Sequence, residues 1–419
     1  MKVSSLARSV LTVVPDFPLP AETGLHLRMM SNLDLVHRLG CDSHLLYFST
    51  EGRAHNPGNA RLWELCASVT HAGPRKEQDA FSAWTLIQHK IDFLVRGGLG
   101  RPSHRYPYSM RWDAVEAEKL ILAHARAVKA SFVLLPTFMA HYAPRLRRDG
   151  FTVIGDAADV LSEVAWRFRR YGATARGGRM GLYANWLACR AQEQLFLPHF
   201  REIWATSRSE AASLRAIVAS VPIIPVASSF ASPELRVTDL PPASTIGFIA
   251  KYSYEPNAEA AMFLARDVFP LVLREVHTAR LLLAGADMPA AATQSLSQMK
   301  NVDLLGRVAD SGTLFENTTI FALPLFARGG VPLKLIEAMA RGRPVVASPE
   351  ALEGLDVRDG RECLIASSAA EFASAIVRLL QDPGLARTLA RNGRHFFEEY
   401  WSREAAERML RETSVLCRE

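Results

Sequence analysis

Two cations lie at the predicted start of one helix in the second half of the chain. Pro332 is typical of a first helical position and Gly342 of a residue that ends a helix, so the sequence predicts a helix over 332–341. Lys334 falls in its first turn, and Arg328 precedes it. A cation at a helix N-terminus opposes the helix dipole and costs roughly 0.3–1 kcal/mol. The two cations therefore indicate an anion bound between them, with solvated surface cations as the alternative.

The loop before this helix has a backbone that can approach an anion closely. Gly329 and Gly330 carry no side chains, so the amide N–H groups of the loop, including that of Val331, can point at a ligand. Apolar runs of strand length over 319–325 and 343–348 make the helix the crossover of a β-α-β unit. The loop then lies at the carboxyl edge of a parallel sheet, where it predicts a seat for a diphosphate.

Glu337 follows Lys334 by three residues, so both side chains share one face of the helix. Two interpretations remain open. Glu337 could be a helix-favouring residue paired with Lys334, or it could accept hydrogen bonds from the two hydroxyls of a ribose, as acidic residues do in nucleotide-binding α/β folds.

Length and composition are those of an ordinary globular protein. The 419 residues suit two domains of about 200 residues each. The apolar run 10–14 is too short for a signal segment or a membrane span, so we expect a buried strand there and a cytoplasmic protein. The five cysteines are scattered, and His104, His141 and His199 share no ligand spacing. Neither a disulfide framework nor a metal site is expected.

Positive charge is concentrated in the first half of the chain. The net charge is +6, and residues 1–240 contain 29 basic against 21 acidic residues. Basic residues are dense near 96–112, 145–148 and 167–179, and aromatic residues are interleaved with them in the first and third of these stretches. Such patterns can bind nucleic acid, an anionic lipid surface or an acidic ligand. No nucleic-acid module accompanies them, so we expect no nucleic-acid partner and either a solvated basic face or peripheral contact with a membrane surface.

Apolar runs of strand length alternate with helical patterns throughout, which predicts a doubly wound α/β fold. A proline-rich polar stretch over 232–244 predicts a linker between domains 1–232 and 245–399. We therefore expect two Rossmann-like domains that face each other across a cleft. The predicted strands are 10–14, 43–47, 131–135, 152–154, 202–205, 222–225, 245–250, 279–284, 301–305, 319–325 and 343–348. A helix is predicted over 257–276, between two of these strands.

The segments 248–257, 281–285, 306–310, 324–346 and 353–355 resemble the retaining glycosyltransferases of family 4, which have the GT-B fold of two Rossmann-like domains. Weaker similarity covers 15–24, Arg28 and 155–162 in the first domain. The segment 395–401 is similar to the last segment of that family, which crosses back to the first domain. The resemblance therefore implies that a helix at about 400–419 packs on the first domain.

The resemblance also implies roles for individual residues. Lys334 and Arg328 would hold the donor diphosphate with the amides of the loop, and Glu337 would hold the ribose. Such enzymes move a sugar from a nucleoside-diphosphate sugar to a hydroxyl of a glycan, lipid-linked or small-molecule acceptor, retain the anomeric configuration and need no metal or other cofactor. The further donor-binding residues would be Gly24, Lys251, Arg307, Val308, Gly329, Gly330 and Val331.

The chain departs from the family pattern at two places. Many members have a glutamate eight residues before Glu337, where this chain has Gly329, and many have a histidine in the segment that here includes Ala158. Asp156 is predicted either to contact donor or acceptor as a catalytic residue or to serve only as a turn residue. These departures motivate an alternative, a catalytically inactive GT-B-shaped binding or scaffolding subunit. A dinucleotide-dependent oxidoreductase is disfavoured, because no G-x-G-x-x-G follows the first strand of either half.

Overall fold

A computed structural model of the chain describes residues 8–19, 23–50, 60–75, 88, 91–96, 99, 114–171, 178–228, 239–241, 243–308, 310–326 and 330–418. The chain divides into two compact units. The first comprises Met1–Ser229 and Ala406–Glu419, and the second comprises Phe230–Ala405.

The first unit is built on a parallel sheet. Its described strands lie in the order β3-β2-β1-β4-β5-β6-β7, and every pair of neighbours is parallel. The strands are β1 (Ser9–Val14), β2 (Asp42–Thr50), β3 (Ser68–Arg75), β4 (Phe132–Pro136), β5 (Thr152–Ala157), β6 (Glu202–Ala205) and β7 (Ile223–Pro225). The α-helices are Gly24–Arg38, Ala60–Leu65, Ala114–Ala127, Ala143–Arg148, Leu161–Tyr171, Gly178–Phe196 and Arg208–Ile217, with 3-10 turns at Thr137–Tyr142 and Leu197–His199.

The second unit repeats this plan in the order β10-β9-β8-β11-β12-β13, again with parallel neighbours among the described strands. Its strands are β8 (Thr245–Ile249), β9 (Arg280–Ala284), β10 (Val302–Gly306), β11 (Ile320–Leu323), β12 (Val345–Ala347) and β13 (Leu364–Ile365). The helices are Glu255–Phe263, Phe269–Glu275, Ala290–Ser297, Gly312–Glu316, Leu333–Ala340, Pro349–Leu352, Ala369–Gln381 and Pro383–Tyr400, with a π-turn at Leu264–Val268. The last helix, Arg403–Thr413, begins in this unit and continues into the first.

Both strand orders contain the 3-2-1-4-5-6 arrangement of doubly wound nucleotide-binding sheets, which confirms the predicted fold class. The order reverses between β1 and β4 in the first sheet and between β8 and β11 in the second. In such sheets ligands bind outside the carboxyl ends of the strands at this switch point. The loops after β8 and β11 therefore mark the place in the second unit where a ligand is expected.

Residues 406–419 complete the core of the first unit. Ala406, Leu410 and Leu416 pack with a buried cluster from the first-unit sheet and its first helix that includes Val10 and Trp204. Polar contacts fix the same segment, because the Ser414 hydroxyl and the Val415 amide both donate to the Glu202 carboxylate, at 2.5 and 2.8 Å.

Three features of the described chain differ from the sequence-based expectation. The edge strand β3 was not predicted, because Gly73 and Pro74 near its end are typical of a turn; an edge strand tolerates a proline because one side needs no partner. The two-residue strand β13 is too short to be predicted from an apolar run in the sequence. The helix predicted over 257–276 contains a π-turn just before Pro270, which lacks the N–H of a regular α-turn.

Candidate functional site

The helix Leu333–Ala340 follows β11 and carries the predicted anion-binding residues. Pro332 lies immediately before its first residue rather than within it, one position from the prediction. The helix ends at Gly342, whose φ of 66° suits a residue without a side chain. The Gly342 amide donates to Met339 O at 3.0 Å and the Arg343 amide to Ala338 O at 2.9 Å, which is the Schellman arrangement. The last carbonyl groups of this helix are thus hydrogen-bonded, and its N-terminus lies at the carboxyl edge of the sheet.

Lys334 is half-buried in the first turn of this helix. Its Nζ donates to Asn257 Oδ1 at 2.7 Å and lies 4.8 Å from the centre of the Phe248 ring. Burial removes water from the ammonium group and lowers the pKa of Lys334 to about 7. The positive charge therefore costs free energy here unless a ligand supplies a compensating negative charge.

Asn257 connects Lys334 to the loop after β8. Its Nδ2 donates to the carbonyl oxygen of Lys251 at 2.8 Å, and its backbone amide donates to Tyr254 O at 2.9 Å. The Lys251 side chain itself is exposed, and its Nζ lies 3.7 Å from a carboxylate oxygen of Asp287. The structure thus joins the loops after β8 and β11 through the Asn257 amide, while the Lys251 ammonium points to a separate surface pair.

Glu337 does not pair with Lys334 in this structure. Its Oε1 accepts hydrogen bonds from the Ser311 hydroxyl at 2.5 Å and from Arg341 Nε at 3.0 Å. The Arg341 guanidinium also lies 5.4 Å from the centre of the Phe315 ring. Ser311 and Arg341 were not among the predicted site residues. Arg341 lies four residues after Glu337 on one helical face, and that spacing could have revealed the pair.

The ends of β9 and β10 form the neighbouring part of this sheet edge. A methyl group on Gly285 would lie 1.7 Å from the carbonyl oxygen of Ala250, and the φ of Gly285 is 135°, so the loop after β8 needs a glycine there. Arg307 is exposed at the end of β10. Val308 packs partly against the small apolar cluster of Leu282, Ala284 and Leu314.

The loop before the helix is described only in part. Gly330 and Val331 are half-buried at its end. Arg328 and Gly329, which were predicted to bind the diphosphate with them, lie outside the described residues. Their roles stay predictions.

The first unit contains a buried ion pair at the corresponding edge of its sheet. Asp156, near the end of β5, accepts a 2.8 Å hydrogen bond from Arg28 Nε, and both side chains are buried. The Arg28 guanidinium also donates to Val226 O, while its Nη2 has no partner among the described residues. Gly24 is the exposed first residue of the helix that carries Arg28, and Thr23 caps that helix through the His26 amide. Asp156 therefore lies in a strand and in a buried ion pair, and not in a turn.

Metal-type clusters and membrane-spanning helices are absent from the described parts of the chain. Those parts contain no group of three or more His, Cys, Asp or Glu side chains that could hold a metal ion. The described helices include none long and apolar enough to span a membrane. The five cysteines are free, and four of them are buried.

Sequence comparison finds a matching family model and a similar protein. Residues 243–382 match the family model described as Glycosyl transferases group 1. A phosphatidyl-myo-inositol mannosyltransferase from Mycobacterium leprae (strain TN) is 28% identical over 171 residues. That match covers 39% of this chain and 45% of the mannosyltransferase, so it spans less than half of the relative's length.

Solved structures resemble the whole chain. Sucrose-phosphate synthase from Thermosynechococcus elongatus has a TM-score of 0.66 at 15% identity, over 97% of this chain and 98% of that one. Anabaena HepE, solved with UDP and glucose, has a TM-score of 0.61 at 13% identity, over 97% and 98%. TarM from S. aureus, solved with UDP and other ligands, has a TM-score of 0.64 at 10% identity, over 98% and 100%.

At these identities the structural likeness establishes the fold alone, and the segment that matches the family model contains Lys334 and Glu337. The chain has the GT-B fold of two Rossmann-like units, and residues 243–382 of its second unit are similar to the group 1 glycosyltransferases.

Proposed function

We propose that this protein transfers a sugar from a nucleoside-diphosphate sugar to a hydroxyl of a glycan, lipid-linked or small-molecule acceptor, with retention of the anomeric configuration. One observation carries the proposal: among the described residues the Lys334 ammonium, half-buried in the first turn of its helix, is held by the neutral amide of Asn257 and not by a carboxylate. A desolvated cation in the first turn of a helix suits an anionic ligand. A nucleoside diphosphate is such a ligand.

The chemistry explains why cations are needed. As the nucleoside diphosphate departs, negative charge grows on a phosphate oxygen and the sugar becomes oxocarbenium-like. Lys334, the first-turn amides and, by prediction, Arg328 would stabilise that charge. The acceptor proton can pass to the leaving phosphate, so the proposed reaction demands no strong protein base and no metal.

Glu337 is proposed to hold the ribose. Both of its hydrogen bonds within the described residues converge on Oε1. A carboxylate has acceptor capacity on each oxygen, so Oε2 can take a ribose hydroxyl while Ser311 and Arg341 fix the orientation of the group. Arg307 and Val308 would contact the base largely through their backbone.

Contact with the cytoplasmic face of a membrane is proposed from the basic first half of the chain. In the described part, the helix Ala143–Arg148 contributes Arg145, Arg147 and Arg148. Co-sedimentation with anionic vesicles but not with zwitterionic ones, weakened by salt, is expected. Equal sedimentation with both would remove the electrostatic argument.

The donor site is tested by binding. UDP, GDP, ADP and their sugar conjugates are screened by thermal shift, and the best ligand is measured by titration calorimetry. Lys334→Ala should abolish the thermal shift, whereas Lys300→Ala, which removes an exposed lysine of the same unit, should retain it. An unchanged shift in Lys334→Ala would disprove the diphosphate assignment.

Turnover is tested with the donor so identified. Anomeric proton signals in NMR spectra of the product should show the configuration of the donor sugar; inversion would contradict the retaining mechanism. Tight nucleotide binding without transfer to any acceptor would instead favour the inactive binding subunit.

A further inference from the structure

We infer that Asn257 is a positioning residue for donor binding, which holds the Lys334 ammonium at the helix N-terminus while leaving its positive charge for the ligand. The inference rests on the proposed function, because it concerns the same diphosphate site. It assigns a role to a residue on another helix, 77 positions before Lys334.

The Asn257 amide can make these contacts in only one orientation. Oδ1 accepts from Lys334 Nζ at 2.7 Å, and Nδ2 donates to Lys251 O at 2.8 Å. A flipped amide would place its N–H groups against an ammonium group that can only donate, and its oxygen against a carbonyl oxygen. Both ends of the amide are therefore specified, and the side chain cannot rotate without losing two hydrogen bonds.

The backbone that carries Asn257 is anchored in the core. The residue is 9% exposed. In the loop before its helix, the Tyr252 hydroxyl donates to Ala284 O and the Tyr252 amide donates to Ala286 O, both at 2.9 Å. Because Ala284 ends β9, these bonds fix the loop to the neighbouring strand. Through these hydrogen bonds Asn257 fixes Lys334, on the helix after β11, relative to the ends of β8 and β9.

The neutrality of the amide matters as much as its geometry. An aspartate at this position would form an ion pair with Lys334 and cancel the charge that a diphosphate needs. Other charged groups around the site are engaged or exposed: Glu337 is held by Arg341 and Ser311, Asp287 lies beside Lys251, and Glu255 is exposed on the first turn of the Asn257 helix. Asn257 therefore holds the half-buried Lys334 without cancelling its positive charge.

The test measures binding of inorganic pyrophosphate and UDP to the full-length protein by titration calorimetry between pH 7.5 and 9.5. We expect Asn257→Asp to bind both about 10- to 100-fold more weakly at pH 7.5, since the new carboxylate would pair with Lys334 and repel the anionic ligand. The introduced carboxylate should also move the alkaline loss of binding to higher pH, because a nearby negative charge favours the protonated lysine. A merely structural role would leave that pH midpoint unchanged.

Two further variants keep the test decisive. Asn392→Asp makes the same chemical change at a half-buried position of the second unit, where the amide likewise donates to a carbonyl oxygen, that of Arg361, and should bind like the wild type. Asn257→Ala removes the amide without adding charge, so it should weaken binding by a smaller factor and raise KM for the donor more than it lowers kcat. Wild-type affinity in either folded Asn257 variant would overturn the inference alone. Absence of binding by the wild-type protein would instead overturn the proposed function.

Discussion

At the scale of single residues, the candidate site centres on Lys334, whose surroundings disfavour its positive charge. The sequence already places Lys334 where the helix dipole disfavours a cation. The structure adds desolvation, a neutral acceptor on Asn257 and the face of the Phe248 ring. Dipole and desolvation both destabilise the charge, whereas one hydrogen bond and one ring contact stabilise it. The pKa of about 7 shows which effect prevails.

This balance predicts how donor binding depends on pH. The pKa of Lys334 is lowered by burial to about 7, so the ammonium form is present below that pH and is lost above it. If the diphosphate binds the ammonium form, its affinity should fall by up to about tenfold per pH unit between pH 7.5 and 9. Phosphate groups with a second pKa near 6 are already ionised in that range.

Lys334→Arg provides the control, because a guanidinium stays protonated throughout this range. Its affinity for UDP, measured by titration calorimetry, should be nearly independent of pH even if its absolute value is lower. The same alkaline decline in both proteins would show that another group titrates.

At the scale of elements, glycines decide how closely the loops of the site approach. Gly285 follows β9 directly, with a φ of 135°, and lies beside the carbonyl oxygen of Ala250. The adjoining loop carries Lys251 and leads to Asn257. The position of the Asn257 amide therefore depends on a residue that contributes no side chain.

Gly285→Ala should destabilise the second unit strongly. The new methyl group would lie 1.7 Å from Ala250 O, and we expect a loss of about 3 kcal/mol or more in the free energy of unfolding, together with weaker pyrophosphate binding. Gly306→Ala is the matched control: φ is 64° there but no atom lies within 4 Å of the new methyl group, so a loss of about 1 kcal/mol is expected. Urea denaturation measures both. Equal losses would mean that backbone conformation, and not close packing, determines the cost.

At the scale of the whole molecule, the two units follow the same 3-2-1-4-5-6 strand order, and the chain end returns to the first of them. Leu410 is fully buried in the core that contains Val10 and Trp204. The Glu202 carboxylate accepts from the Trp204 indole and from two groups near the C-terminus. The stability of the first unit therefore depends on residues at the opposite end of the chain.

Leu410→Ala should destabilise the first unit by about 2–5 kcal/mol, as is typical when a buried leucine is truncated. Glu412→Ala, at an exposed position of the same helix, should change the free energy of unfolding by less than about 0.5 kcal/mol. Chemical denaturation measures the loss, and limited proteolysis shows which unit becomes susceptible. Preferential cleavage of the second unit in Leu410→Ala would contradict this packing.

The amino-acid sequence by itself determined the α/β fold class and the helix that carries Lys334 and Glu337. These features depend on local patterns: the alternation of apolar runs, a proline before a helix and a glycine after it. Only the tertiary structure decided that Lys334 is held by Asn257, that Glu337 is held by Ser311 and Arg341, and that Asp156 lies in a buried pair with Arg28. The physical reason is that charge and hydrogen-bond partners depend on burial and on contacts between distant segments. Those contacts arise when the parallel strands bring their carboxyl ends to one edge.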